Sequence, residues 1–246
     1  MPSLRTPALV LRKFEYGETS QVLHLLTRDR GRVHVLAKGS LKPRSAFLGP
    51  LDVLECGEAR IYPRKEGLSI LGGFQRTTAF PGVRRDLARL EAAFAALEVL
   101  SDASREEHAD PALHDLAISW LRGLETCPPG RAPLALLRFD MRALAVLGLA
   151  PVLGACVLCG AGLAGEKPPL LSPARGGALC WGCRGEDIHS VPATRGVLAA
   201  LALLASGDDA AAARLALGRR DLALARRLAD ALLRHALERE VRGRRG

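Results

Sequence analysis

Four cysteines have the spacing of a metal site. Cys156 and Cys159 form one CxxC pair, Cys180 and Cys183 form another, and 20 residues lie between the pairs. A CxxC turn holds two thiols on one side of a tight loop, so two such turns can complete a tetrahedron around one zinc ion, with zinc–sulfur distances of about 2.3 Å. Four thiolates leave no coordination position for water. The spacing therefore predicts one structural zinc ion rather than a catalytic one.

Two other uses of paired cysteines fit this chain less well. Two disulfides would need an oxidising compartment, and residues 1–11 lack the basic stretch, apolar run and cleavage site of an export signal. A redox CxxC is usually single and begins a helix beside a βαβ unit, and neither feature is predicted here. Cys56 and Cys127 are interpreted as ordinary thiols outside the site.

No familiar catalytic motif accompanies the cysteines. The sequence contains no GxxxxGK[ST] phosphate loop, no GxSxG and no HExxH, and no GxGxxG follows a predicted strand. The six histidines are scattered, and His24 and His34 are interpreted as solvent-facing or hydrogen-bonded strand residues. We predict that the protein is not an enzyme. An enzyme stays an alternative because active sites assemble from residues that are distant in sequence.

The formal net charge is +9, and its distribution favours a polyanionic partner. Residues 1–80 carry 13 Lys or Arg against 7 Asp or Glu, and residues 156–246 carry 14 against 9. Simple solubility of an arginine-rich chain is the alternative reading of this charge. The basic side chains that cluster at the turns of the first 80 residues are predicted to contact the phosphates of a nucleic acid. They are Arg28, Arg30, Arg32, Lys38, Lys42, Arg44, Arg60, Arg64 and Lys65.

The first 80 residues predict a small closed barrel. Five short runs rich in Val, Ile and Leu, several of them alternating apolar with polar, are separated by turn signals such as Asp29-Arg30-Gly31. Five strands in this length fit an OB-fold, and an SH3-like barrel would look much the same. Candidate stacking aromatics are few: Phe14, Tyr16, Phe47, Tyr62 and Phe74. We therefore expect electrostatics to dominate binding.

After Pro81-Gly82 the apolar period changes from two to about 3.6. Leu87, Leu90, Phe94 and Leu97 fall on one face of the first predicted helix. The predicted domains are a barrel over 1–80, a first helical part over 81–151, a zinc-binding module over 152–190 and a second helical part over 191–246. The fold class is α+β. The longest apolar stretch, 197–205, is too short to span a bilayer, so we expect a cytoplasmic protein with no membrane partner.

Several stretches resemble the bacterial RecO family of recombination mediators. Tyr16-Gly17-Glu18-Thr19-Ser20, Gly31-Arg32-Val33 and Ala37-Lys38-Gly39 are similar to the barrel signature of the family. The helix leading into the first CxxC pair, with Phe139, Leu144, Leu147-Gly148 and Pro151, is similar to the corresponding family segment. The likeness runs over essentially the whole chain in the right order. Of the basic residues, only Arg32 and Lys38 lie within matched signatures.

The resemblance implies an N-terminal OB-fold, a helical body that carries a zinc module, and a nucleoid-associated DNA-repair function. It implies binding to single- and double-stranded DNA, annealing of complementary strands and work with RecR. It also implies remodelling of single-strand-binding protein, so that RecA loads onto the DNA. Two alternatives remain: a zinc-containing RNA- or DNA-binding module with no annealing role, and a zinc-dependent or DNA-processing enzyme.

Overall fold

A closed barrel of five strands opens the chain in the computed structural model, which describes residues 3–64, 66–165 and 167–243, the side chains of 239–243 excepted. The strands are β1 (Leu4–Tyr16), β2 (Ser20–Thr27), β3 (Gly31–Ala37), β4 (Cys56–Tyr62) and β5 (Ser69–Thr78). Their order around the barrel is β1-β2-β3-β5-β4. The predicted five-stranded barrel is confirmed.

Most barrel strands pair with antiparallel neighbours, and one pairing differs. Strands β3 and β5 are parallel and share only two residue pairs, Val35 with Ser69 and Leu36 with Ile70. The side chains that alternate inward, among them Leu23, Leu25 and Val33, are buried and fill the barrel. A register shift between Val10 and Arg12 marks a β-bulge in β1. The residues of β1 after the bulge, from Arg12 to Tyr16, pair with β2 but no longer with β4, and they are exposed.

Three helices follow the barrel: α1 (Pro81–Arg84), α2 (Leu87–Ala103) and α3 (Pro111–Thr126). Asp86 and Asp110 cap α2 and α3 by accepting hydrogen bonds from backbone N–H groups of the first turn. The predicted inner face of α2 is wrong in part, because Leu87 and Phe94 are exposed. Small side chains are buried instead: Ala92, Ala93, Ala96 and Ala103. Alanines let a helix approach its neighbours closely, which a leucine pattern does not reveal.

The segment between α2 and α3 is attached to the edge of β3. The Arg32 N–H donates to the carbonyl of Arg105 at 2.9 Å, and the Glu107 N–H donates to the carbonyl of Arg32 at 3.2 Å. Gly31, with φ +64°, has no room for a side chain, because a Cβ atom there would collide with the carbonyl oxygens of Arg105 and His108. This contact brings the carboxylates of Glu106 and Glu107 beside the basic end of β3.

Contacts divide the chain into two compact units, Met1–Ala132 and Pro133–Gly246, which we describe separately. A 3-10 turn (Pro129–Arg131) ends the first unit, and α4 (Ala132–Val146) leads into the cysteine-rich segment of the second. There β6 (Leu170–Ser172), β7 (Gly177–Leu179) and β8 (Val191–Pro192) form a small sheet, and a second 3-10 turn spans Trp181–Glu186. Helices α5 (Arg195–Ser206), α6 (Asp209–Arg214) and α7 (Arg219–Gly243) complete the unit. The four-part domain division stays a prediction.

None of the helices in the described part of the chain has the length and apolar character needed to cross a membrane. Helix α7, although 25 residues long, carries charged residues throughout its described length.

Candidate nucleic-acid interface and metal centre

The four predicted zinc ligands come together in the second unit. Their sulfur atoms all lie within 4.8 Å of one another, and Sγ of Cys159 is 3.7 Å from Sγ of Cys180. Gly160, with φ +72°, closes the first turn by donating its N–H to the carbonyl of Cys156 at 2.9 Å. Cys183 donates its N–H to the carbonyl of Cys180 at 3.1 Å and closes the second turn.

The separations of the sulfur atoms fit a tetrahedral site. Ligand atoms about 2.3 Å from a common centre stand about 3.8 Å apart, close to the distance between Cys159 and Cys180. Thiols are soft ligands that favour zinc over magnesium or calcium. Among the described residues, no other group of three or more His, Cys, Asp or Glu side chains could hold a metal ion. The cluster can therefore bind a metal through four thiolates.

The thiols of the cluster influence one another's ionisation. Burial raises the pKa of Cys156, but hydrogen bonds from the backbone N–H groups of Cys159 and Cys180 outweigh burial and lower the pKa to about 6. Hydrogen bonds with the thiols of Cys159 and Cys180 raise the pKa of Cys183 to about 12. One negative charge is thus readily held by the cluster, and full ionisation of four close sulfurs needs a cation among them.

A column of rings covers the outer face of β1, β2 and β3 in the first unit. The imidazoles of His24 and His34, which pair across β2 and β3, stack with centroids 3.9 Å apart and planes 22° apart. The ring of Phe14 follows at 5.2 Å from His24 and is tilted by 55°. Half of Phe14 is exposed, and so is 59% of Tyr16 at the end of β1. We call Phe14, His24 and His34 the ring column.

Both imidazoles of the ring column are uncharged at neutral pH. Burial lowers the pKa of His24 to about 4, reinforced by repulsion from His34 when that ring is protonated and by the positive charge of Arg32. Burial also lowers the pKa of His34, although Glu106, whose carboxylate lies 3.6 Å from Nε2, opposes the shift. Because the two imidazoles cover each other's faces, the half-exposed ring of Phe14 at the end of the column is the ring that a nucleobase can stack on.

Three of the predicted phosphate contacts already have acidic partners. Arg28 binds the carboxylate of Asp115 through Nε and Nη2 at 3.0 Å each, and this pairing lowers the pKa of Asp115. Nε of Arg30 lies 3.5 Å from Glu107. Arg32 is only 21% exposed, and its guanidinium donates to the carbonyl of Ser101 and lies 3.4 Å from Glu106. Their assignment to DNA stays a prediction.

The next three predicted contacts are exposed and unpaired. Among the described residues, no carboxylate lies within ion-pair distance of Lys38, Lys42 or Arg44. The loop that carries them is attached to the turn between β1 and β2, because the Leu41 N–H donates to the carbonyl of Thr19 at 2.9 Å. We call Lys38, Lys42 and Arg44 the cation loop. It therefore lies beside the turn that follows the end of β1.

The remaining predicted contacts are more scattered. Arg60 and Arg64 are exposed, and Arg60 donates from Nη2 to the carbonyl of Gly72 at 2.9 Å. Lys65 lies outside the described residues. The whole set of predicted phosphate contacts stays a prediction, and the structure divides it into paired arginines and free cations.

Family comparison agrees with this architecture. Residues 1–80 match the family model described as "Recombination protein O N terminal", and residues 84–245 match "Recombination protein O C terminal". The chain belongs to the RecO family. Family membership supports a role in DNA repair and recombination, and the barrel is the OB-fold of RecO proteins.

Three curated relatives resemble the chain over nearly its full length, and each is named DNA repair protein RecO. The protein from Anaeromyxobacter dehalogenans (strain 2CP-C) is 36% identical over 247 residues, which cover 100% of this chain and 96% of the relative. The one from Desulforudis audaxviator is 34% identical and covers 98% and 95%. The Myxococcus xanthus protein is 32% identical and covers 96% and 93%.

Two of the three barrel stretches that resemble RecO proteins lie together in the structure. The N–H of Gly39 donates to Oγ of Ser20 at 3.1 Å, which joins the segment Ala37-Lys38-Gly39 to the segment Tyr16–Ser20. Sequence reasoning missed the ring column, because it treated His24 and His34 as isolated strand residues. The signal was present: both lie on outward positions of strands joined by a tight turn, where the register makes them neighbours.

Proposed function

We propose that this RecO-family chain is a DNA-repair mediator that binds single- and double-stranded DNA and anneals complementary strands. We further propose that it works with RecR and displaces single-strand-binding protein, so that RecA loads onto DNA. The observation that carries the DNA-binding part is the ring column on the outer barrel face, together with the free cation loop that follows β3, the strand of His34. The partners rest on family membership alone.

Single-stranded DNA would use both features of the barrel. An unpaired base stacks on Phe14 at the exposed end of the ring column, while Lys38, Lys42 and Arg44 neutralise successive phosphates. Each stacked base contributes about 1 to 3 kcal/mol, with little preference among bases. Duplex DNA has no free base faces, so it binds through its phosphates alone and depends more steeply on salt.

Arg28, Arg30 and Arg32 would contribute less to phosphate binding than the cation loop. A phosphate that approaches Arg28 has to compete with Asp115, which already accepts hydrogen bonds from two nitrogens of the guanidinium. Arg32 is mostly buried and holds the chain after α2. We therefore assign these arginines mainly to the structure of the first unit, and the cation loop mainly to DNA.

The cysteine cluster would hold one structural zinc ion, bound by Cys156, Cys159, Cys180 and Cys183. When bound, zinc neutralises the thiolates and fastens a segment with little apolar core of its own. A closed four-thiolate shell leaves no position for a reactive water, in keeping with a protein that is not an enzyme. Annealing itself needs only charge neutralisation and base pairing. A DNA-repair mediator of this kind acts in the cytoplasm, at the nucleoid.

The test is an annealing assay with complementary oligonucleotides and no nucleotide cofactor. We expect wild-type protein to accelerate annealing, and the triple variant K38E, K42E, R44E to lose most of the acceleration. The matched control is R219E, R220E, R227E, which makes the same change in charge at exposed residues of α7. If the control loses annealing and the loop variant keeps it, the barrel is not the main DNA surface.

The same assay separates the alternatives. Absence of annealing together with tight binding to duplex RNA would favour an RNA-binding module. Cleavage or modification of the oligonucleotide, lost on mutation of the cysteines, would favour a zinc-dependent enzyme.

A further inference from the structure

The cysteine-rich segment presents a partly exposed tryptophan with two cations over its ring. Trp181 lies between Cys180 and Cys183 and begins the second 3-10 turn, with 37% of its surface exposed. Nζ of Lys167 lies 5.2 Å from the centre of the indole ring, and Cζ of Arg184 lies 4.6 Å from it. Both distances are within the range of cation–π contacts. Two side chains thus each place a positive charge close to the indole ring.

A small cavity opens beside the indole. It has a volume of about 270 Å³ and is lined by Trp181, Cys180, Lys167, Pro169 and the loop 162–165. The loop is held in place by Arg195, which donates from Nε to the carbonyl of Leu163 at 2.6 Å and from Nη2 to the carbonyl of Lys167 at 2.8 Å. Arg195 therefore holds part of the cavity wall in place before any ligand arrives.

Within the described part of the chain, no carboxylate lies within 4.0 Å of the nitrogens of Lys167 or Arg184. Two like charges near one ring repel each other, and an anion between them relieves that repulsion. A ligand that suits this place has a flat ring that lies against the exposed part of the indole and an anionic group for the cations.

We infer that this place binds one unpaired nucleotide of a DNA strand. The base enters the cavity against the indole of Trp181, and its phosphate lies between Lys167 and Arg184. The cavity is smaller than the sites of about 300 to 1,000 Å³ that hold drug-sized ligands, which suits a single base. A paired base inside a duplex has its faces covered by its neighbours, so the site selects single-stranded DNA.

The charge of the surrounding segment limits the contact to about one nucleotide. Residues 152–193 contain three basic and three acidic side chains in addition to the four cysteines, so no extended positive track continues from the site. The inference rests on the proposed DNA-binding function and adds a second strand contact in the second unit. An annealing protein that holds strands at two places of one chain can present unpaired bases from both.

Fluorescence of Trp181 tests this directly. The chain has two tryptophans, so the variant W120F leaves Trp181 as its sole tryptophan. Titration of zinc-loaded W120F protein with single-stranded oligo(dT) at low salt should at least halve the emission, and a duplex of equal length should change it less than a fifth as much. The variant K38E, K42E, R44E in the same background should retain part of the quenching, because the site does not depend on the barrel.

Substitution gives the second readout. W181A should weaken the affinity for oligo(dT) about tenfold, the loss expected for one stacked base, and W181F should restore most of it. K167A with R184A should lower the affinity and the quenching together. In the unaltered sequence labelled with 5-fluorotryptophan, the fluorine resonance of Trp181, assigned with W181F, should shift on addition of oligo(dT).

The outcomes separate the inference from the proposed function. If a labelled oligo(dT) binds the protein but the emission and the fluorine resonance of Trp181 stay unchanged, the inference is wrong and DNA binding through the barrel stands. If the oligonucleotide does not bind the wild-type chain at all, the proposed function fails, and the inference fails with it.

Discussion

Nη1 of Arg226 on α7 lies 3.9 Å from Oδ2 of Asp140 on α4, and the other carboxylate oxygen, Oδ1, has no hydrogen-bond partner among the described residues. The pair is long, and Asp140 is almost fully buried. Burial raises the pKa of this carboxyl to about 7, although the positive charge of Arg226 opposes the shift. The second unit therefore contains a carboxyl group that is half protonated near neutral pH.

The substitution D140N should remove a pH dependence of stability. The folded pKa of about 7 lies above the ordinary value of 3.8, so the stability from the neutral carboxyl is complete below pH 3.8 and is lost as the pH rises through 7. The free energy of unfolding of D140N minus that of wild type should be about 1 to 3 kcal/mol larger at pH 8.5 than at pH 5. Urea unfolding at both pH values measures this. If the two proteins differ in free energy of unfolding by the same amount at both pH values, the raised pKa of Asp140 is contradicted.

Zinc removal should selectively unfold the cysteine-rich segment. Metal analysis of the purified protein should give about one zinc per chain, and the variant C180S, C183S should have none. The matched control C127S, a cysteine outside the cluster, should keep its zinc. Because structural zinc contributes on the order of 10 kcal/mol to small modules, chelation should expose the segment to proteolysis. If the metal-free chain resists proteolysis as well as the zinc-loaded chain, the predicted zinc site is wrong.

The salt dependence of DNA binding should separate free cations from paired ones. K42A removes a lysine with no described carboxylate beside it, so it should lower the slope of log affinity against log salt by about 0.7 for single-stranded DNA. R28A removes the same charge, but Asp115 already neutralises that arginine, so the slope should change much less. The slopes are obtained by measuring the affinity of wild type, K42A and R28A for single-stranded DNA between 50 and 200 mM salt. Equal changes would mean that Arg28 leaves Asp115 for the phosphate.

Two glycines with the same backbone conformation should respond differently to alanine. Gly17 and Gly31 have φ values of +60° and +64°, but no atom lies within 4 Å of a Cβ at Gly17, whereas a Cβ at Gly31 meets two carbonyl oxygens. G17A should cost about 1 to 2 kcal/mol, from the left-handed backbone alone. G31A should cost at least about 2 kcal/mol more, because it also pushes the 105–108 segment away from β3. Thermal unfolding of the two variants gives the comparison.

Sequence patterns predicted the strands and the cysteine cluster better than they predicted which strands pair and which side chains form ion pairs. Alternation and turn residues were enough for four of the five strands, and the CxxC spacing was enough for the cysteine cluster, since both signals are local. The fourth strand was misplaced, because the apolar run 51–56 precedes the observed β4. The pairing of β3 with β5 has no local signal, because the two strands share only two residue pairs. The carboxylates that meet Arg28 and Arg32 lie 87 and 74 residues further along the chain, so charge clustering alone could not separate those arginines from the cation loop.

The short contact between β3 and β5 makes the barrel a ring with one weak join. All other neighbouring strands of the barrel form longer antiparallel pairs, so we expect thermal opening of the barrel to begin between β3 and β5. The cation loop follows β3 directly at that place, so a DNA strand bound to the loop, as proposed above, would lie beside the join. Binding would then do more than hold the DNA: it would also oppose the separation of β3 from β5.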